Sequence, residues 1–127
     1  MREITTHCCP GLNEALKITA LDEPGSGGAN HAYAVDLPTP PNTCPGKTGL
    51  RTIIKFQEGP IQEVGVNGLS NEALLAIVRD RLEKFQEGPY SCENNGNALR
   101  DVESAVDQLH MRTRERLDRG VEGTSQK

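Results

Sequence analysis

Three arginines late in the chain, Arg112, Arg116 and Arg119, recur at i, i+4 and i+7 and so form a stripe on one face of a helix. A guanidinium presents its donors in a planar fork that matches a phosphate, and this stripe adjoins the apolar Leu109, an arrangement suited to bidentate phosphate binding at a subunit interface. Basic residues in a last helical turn also complement the helix dipole with no ligand present, and spacing leaves both readings open. Arg114 falls on a different face. A second signal is the pair Phe85 and Asn95: an aromatic at the end of one helical pattern and an amide near the start of the next can stack on and hydrogen-bond a base, or Phe85 can simply close a core. His31 and Tyr33 share one face of an alternating run and can line a pocket or the core. The preceding Gly25-Ser26-Gly27-Gly28 either cradles an anion with its backbone N–H groups or serves as a flexible connection.

Other chemistry finds no support in the residues. There is no G-x-S-x-G, H-E-x-x-H or paired H-x-T/S motif, so no nucleophile or catalytic metal is proposed and the chain is read as a non-enzyme without a resident cofactor. Gly46-Lys47-Thr48 resembles the end of a P-loop, but the glycine required five positions before Gly46 is Pro41, and a Pro-rich surface loop is the better reading. His7, His31 and His110 are scattered relative to Cys8, Cys9, Cys44 and Cys92, which argues against a zinc site. The cysteines are read as reduced thiols, since adjacent Cys8 and Cys9 make a poor disulfide framework. A net charge of -4 argues against a general DNA or RNA binder, and no apolar run long enough to span a membrane is present. A soluble, cytosolic protein is expected.

The elements that must position these residues follow from composition. Of the eight prolines, seven lie in residues 1–67, together with most of the β-branched and Gly-rich stretches. Leu16–Leu21, His31–Leu37, Arg51–Phe56 and Ile61–Val66 read as short strands joined by turns, and connections this short demand antiparallel pairing. From position 68 the pattern turns helical. Ser70 is an N-cap, and Leu74, Leu75, Ile77, Val78, Leu82 and Phe85 lie mostly on one face of a helix that stops at Gly88-Pro89. A second helix starts between Ser91 and Glu93. Its apolar positions Leu99, Val102, Val106 and Leu109 step by 3, 4 and 3, and it runs to about Asp118 with Gly120 as the residue that ends it. At 1.5 Å per residue that is about 39 Å, too long for the shorter helix and a small sheet to cover, so part of its seam is expected to pack on another chain. The string Lys-Phe-Gln-Glu-Gly-Pro occurs at 55–60 and again at 84–89, but it extends no further and is read as a shared stop signal. The fold expected is α+β: residues 1–67 a small antiparallel sheet, residues 68–127 a helical hairpin with a basic end, the two forming one compact unit that oligomerises through its long helix.

The run from Val66 to Leu82 (VNGLSNEALLAIVRDRL), then Phe85-Gln86-x-Gly88-Pro89-Tyr90 and the ending Arg119 to Thr124, resembles the helical hairpin of the phage Thoeris anti-defence protein 1 family. The anti-CBASS protein 2 family has a related hairpin. Gly11-Leu12-Asn13, Gly27-Gly28-Ala29-x-His31-x-Tyr33 and Phe56-Gln57-x-Gly59-Pro60 fit the first family too, so the resemblance covers most of residues 11–124, leaving out Pro38 to Leu50. It implies a non-enzymatic sponge in the cytoplasm of an infected bacterium, holding the cyclic ADP-ribose isomers, especially glycocyclic forms, that TIR-domain enzymes make as alarm signals. Some members also hold cyclic di- or trinucleotides from CBASS immunity. By position in the hairpin, Phe85 would stack on adenine, Asn95 would make the nearby polar contact, and Arg112 and Arg116 would bind phosphate. The segment Arg119, Gly120, Val121, Glu122, Gly123 and Thr124 would contribute to a second, cyclic trinucleotide site. Family members form homodimers and, in some cases, homohexamers. On this reading replacing Arg112 or Arg116 by alanine weakens pyrophosphate binding and leaves folding nearly unaffected. The competing class is a small hairpin adaptor that binds another protein through its exposed seam, with the arginine stripe merely solvated.

Overall fold

Short runs of alternating residues need neighbours to satisfy their backbone groups, and in the computed structural model of the protein, which describes residues 1–38 and 49–127, they find them in a four-stranded antiparallel meander. The strands are β1 (Arg2–Ile4), β2 (Lys17–Ala20), β3 (Ala32–Asp36) and β4 (Arg51–Lys55), in sheet order β1-β2-β3-β4. Register places Ala20 opposite Tyr33 and Asp36 opposite Arg51, and that last cross-strand pair is an ion pair at 2.6 Å that holds the Asp36 carboxyl below its ordinary value. Ala20 and Ala34 are fully buried, and the Tyr33 and Phe56 rings meet edge to face with centroids 5.7 Å apart. The Gly46-Lys47-Thr48 motif and Cys44 lie outside the described residues.

Two strand expectations differ from this sheet. β1 has a single apolar residue in three, too short a pattern to read alone, and it forms because β2 offers it a partner. The expected strand at Ile61–Val66 is instead a one-turn helix, α1 (Ile61–Val64). The Pro60 carbonyl accepts the N–H groups of Glu63 and Val64, and Gly65, at a φ of 76°, turns the chain out after one turn.

The chain divides into two compact units, Met1–Glu58 and Gly59–Lys127. In the second, α1 precedes α2 (Asn71–Glu87) and α3 (Glu93–Asp118). Ser70 Oγ accepts the Ala73 N–H at 3.1 Å, the N-cap its side chain predicts, and Cys92 caps α3 through its sulfur. Three contacts fix α2 and α3 as an antiparallel hairpin. Arg79 reaches Glu103 across the pair at 3.7 Å, while the Gln86 amide both donates to the Cys92 carbonyl and accepts the Cys92 N–H, each at 3.1 Å. Gly96 leaves room for that clamp, since a side chain there would meet the Gln86 amide nitrogen. The buried and half-buried positions of α3 include Leu99, Val102, Val106, Leu109, Thr113 and Arg116, a row that steps by 3 and 4. The end of α3 is a Schellman motif: the Val121 N–H returns to the Arg116 carbonyl and the Gly120 N–H to that of Leu117, with Gly120 at a φ of 73°. No helix among the described residues is long and apolar enough to cross a membrane.

The connection between β2 and β3 is organised by one carboxylate. Asp22 accepts the backbone N–H groups of His31, at 2.9 Å, and Ala32, and the Asn30 side chain donates to it as well. The His31 N–H above all, opposed by partial burial and helped by Ala32 and Asn30, holds the Asp22 carboxyl below its ordinary value of 3.8. A depressed folded-state pKa means that the contribution is fully present above the unfolded value and disappears as the pH falls through the folded one. An NMR titration below pH about 4 should therefore move the His31 and Ala32 amides together, and Asp22→Asn should abolish that transition. Identical titration of those amides in both proteins would show that Asp22 does not hold the loop.

Candidate functional site

The two ends of the hairpin carry different chemistry. At the end joined by the connection, Phe85 lies two residues before the last residue of α2, Glu87, and Asn95 in the first turn of α3, so both sit within one turn of the connecting segment. Phe85 is 40% exposed, unusual for a side chain that gains by leaving water, and Tyr90 within the connection is exposed too. The Asn95 side-chain amide has no protein partner among the described residues. Arg81, one turn before Phe85, lies with its guanidinium carbon 5.6 Å from the Phe85 ring centroid. This end of the hairpin therefore carries an exposed aromatic face and a half-buried amide, and adds a cation that the sequence pattern did not single out.

At the other end, the arginine stripe splits. Arg112 is exposed and makes no ion pair or hydrogen bond among the described residues; it borders a shallow depression with Gln108, Met111, Arg114, Glu115 and Asp118. Arg114, which helical spacing puts on a different face, thus lies beside the same depression as Arg112. Arg116 is the opposite case, only 7% exposed. Its Nε donates to the Glu122 carboxylate at 3.0 Å, its Nη1 to the Gln126 carbonyl at 2.7 Å, and its Nη2 to the carbonyls of Val121 and Thr124. Arg116, expected as half of a phosphate-binding pair whose loss leaves folding nearly unaffected, is thus engaged by its own chain in this protomer. It occupies the covered seam one step beyond Thr113, and burial obliges its donors to find acceptors inside the protein. Arg119 is exposed, 3.6 Å from Glu115, and donates to the Lys127 carbonyl.

The segment 120–124 is therefore a turn wrapped on Arg116. Glu122 supplies the carboxylate, Val121 and Thr124 supply carbonyls, and Gly123, at a φ of 77°, lets the backbone close. From α1, Gln62 donates its backbone N–H to the Gly123 carbonyl and its side-chain amide to the Glu122 carbonyl. A side chain at Gly123 would meet Gln62 at 3.0 Å. Neither Gln62 nor Glu122 stands out by pattern, because nothing in local periodicity reports a contact sixty residues apart in sequence.

The remaining candidates belong to the first unit. His31 is buried with its Nδ1 lacking a partner among the described residues, and Tyr33 is half-buried against Phe56. Within the hairpin, Asn95 and Arg112 are 17 positions apart on one helix, about 25 Å at 1.5 Å per residue. One protomer does not bring them together.

A small antiparallel sheet preceding an antiparallel helical hairpin with an aromatic end and a basic end defines the class, a hairpin-bearing α+β protein. Residues 50–114, half of the chain, match the family described as Acb2/Tad1, hairpin domain, and the chain belongs to that family. It is also 44% identical over 79 residues to the protein named Thoeris anti-defense 1 of Bacillus phage SBSphiJ7. The matched stretch is 62% of this chain and 56% of that relative, so the chain spans little more than half of the relative's length.

The Arg116 cage has a measurable consequence. Arg116→Ala should lower stability in denaturant unfolding by roughly 1.5–3 kcal/mol, the worth of hydrogen bonds to a charged group. Arg116→Lys should recover little of it, because an ammonium cannot reproduce a planar fork aimed at several acceptors. Hydrogen exchange at the Val121 and Thr124 amides should accelerate in both variants. Wild-type stability and unchanged protection there would show that the turn holds without Arg116.

Proposed function

We propose that the protein is a phage anti-defence sponge, which binds cyclic ADP-ribose isomers made by bacterial TIR enzymes, glycocyclic ADP-ribose foremost, and holds them unchanged in the host cytoplasm. The observation that carries this reading is the presence, on one family hairpin, of an exposed Phe85, an Asn95 amide without a partner among the described residues, and an exposed Arg112 without an ion pair among them. A ring and an amide suit a purine, and a free guanidinium suits a pyrophosphate. The relative's name, Thoeris anti-defense 1, supports the role, and the Acb2 side of the family supports an extension to cyclic di- and trinucleotides of CBASS immunity. Arg116 serves the site through the turn it folds, and that turn, Arg119 to Thr124, is the proposed second site. His31 and Tyr33 are kept as candidate ligand residues of the sheet unit. Neither DNA, RNA nor membrane is proposed as a partner.

The ligand lies between chains in this proposal. A cyclic ADP-ribose is far shorter than the roughly 25 Å between Asn95 and Arg112 on one helix, so Phe85 and Asn95 come from one protomer and Arg112 from its partner in a homodimer or homohexamer. Exposed Ile77 and Leu117, at 59% and 61%, offer apolar surface for such an assembly. The same surface is what a protein-binding adaptor would use, and ligand capture separates the two readings.

Calorimetry with glycocyclic ADP-ribose should give tight binding, and heating the washed complex should release the ligand chemically intact. No binding heat would favour the adaptor, and recovery of linear ADP-ribose in proportion to protein would make the protein an enzyme. A second test uses mixed chains. Phe85→Ala and Arg112→Ala proteins, each unable to bind alone, are co-refolded. In a mixed dimer one site receives both changes and the other neither, so binding stoichiometry should partly recover. Failure to recover in verified hetero-oligomers would place the whole site within one chain.

A further inference from the structure

The basic side chains of α2 divide by what they touch. Arg79 pairs with Glu83 at 3.0 Å and with Glu103 across the hairpin, and Lys84 pairs with Glu87. Arg81 has no carboxylate and no hydrogen-bond acceptor among the described residues; it lies instead over the Phe85 ring, 5.6 Å from its centroid. Helical geometry explains the contact, since residues four apart share a face. It does not explain why the cation of this helix without a carboxylate among the described residues stands beside the exposed Phe85 ring, at the end that also carries the half-buried Asn95 amide.

We propose that Arg81 is a further ligand-binding residue: it braces Phe85 and offers its unpaired guanidinium to the phosphate of a nucleotide whose base stacks on that ring. The inference rests on the sponge reading above and adds to it. An arginine on one side of an aromatic ring leaves the other side for a base and fixes the ring's orientation before the ligand arrives, which reduces the ordering cost of binding. The guanidinium keeps its in-plane donors free while it lies against a ring, so bracing and phosphate contact do not exclude each other. The cation would come from the same protomer as Phe85, so that a pyrophosphate held by the partner's Arg112 is met by positive charge from both chains. An arginine that served only to shield the ring would leave the salt dependence of ligand affinity unchanged when replaced.

The experiment is calorimetry of the full chain with glycocyclic ADP-ribose at low and high ionic strength, comparing wild type, Arg81→Gln, Arg81→Lys and Phe85→Ala. Circular dichroism should show the same helix content in all four. The expected result is binding weakened about tenfold or more in Arg81→Gln, the effect of one lost charge-assisted hydrogen bond, with a shallower salt dependence than wild type. Arg81→Lys should retain the salt dependence and part of the affinity. Should Phe85→Ala lose binding while Arg81→Gln stays within twofold of wild type with the same salt dependence, the role of Arg81 falls and the sponge reading stands. No binding by the wild type overturns both.

Discussion

A guanidinium removed from water must find acceptors for its donors, and in the hairpin unit Arg116 imposes that requirement on everything that follows α3. The chain answers with a turn whose carbonyls at Val121, Thr124 and Gln126 point inward and whose Glu122 supplies the countercharge. The turn can close because Gly120 and Gly123 adopt left-handed backbone conformations that a side chain would disfavour. It is tied in turn to α1 by Gln62, so a four-residue helix too short to persist alone has a reason to exist. One buried charge thus organises two segments separated by the whole length of the hairpin.

The same physics sorts the other arginines. Arg79 is engaged in fixing the hairpin's register, and Arg116 in folding the turn. Arg81 and Arg112 have no carboxylate among the described residues. Exposed ion pairs contribute little to stability, so nothing in folding requires these two to be paired. They lie toward opposite ends of a rigid antiparallel pair, one against the exposed ring and one beside the α3 depression. A hairpin that keeps its aromatic and its basic chemistry this far apart is poorly suited to act alone and well suited to the antiparallel assembly proposed for it.

Burial is lean in both units. Among the described residues no large side chain is fully buried; the apolar core consists of Ala20, Ala34 and Val106, while Ile77, Val78, Met111 and Leu117 remain in contact with water. The sheet unit relies on directional interactions: the Asp22 carboxylate gathering backbone N–H groups, the Asp36–Arg51 pair and the Tyr33–Phe56 contact. In the proposed oligomer, association would supply the apolar burial that a single protomer of this size lacks.

What the sequence determined by itself is local. Ser70, Gly88 and Gly120 bound the two long helices because capping and left-handed glycine act within a few residues, and the 3-and-4 spacing of Leu99, Val102, Val106 and Leu109 identifies a covered face. Three of the four strands were legible from alternation; β1 was not, since three residues carry no period, and Ile61–Val66 was misread because a short apolar run suits a strand or a helical turn equally well. Phe85, Asn95 and Arg112 were singled out from the sequence as candidate ligand residues, and the fold leaves Phe85 and Arg112 exposed and Asn95 half-buried. Only the tertiary structure decided between Arg112 and Arg116, which share residue type and helical stripe. The 4-and-3 seam, continued through Thr113, turns Arg116 inward, and acceptors supplied by residues 121–126 make that burial tolerable, whereas Arg112 meets no such acceptor and stays in water. Helical spacing specifies the direction in which a side chain leaves the axis; what waits there depends on where the rest of the chain folds.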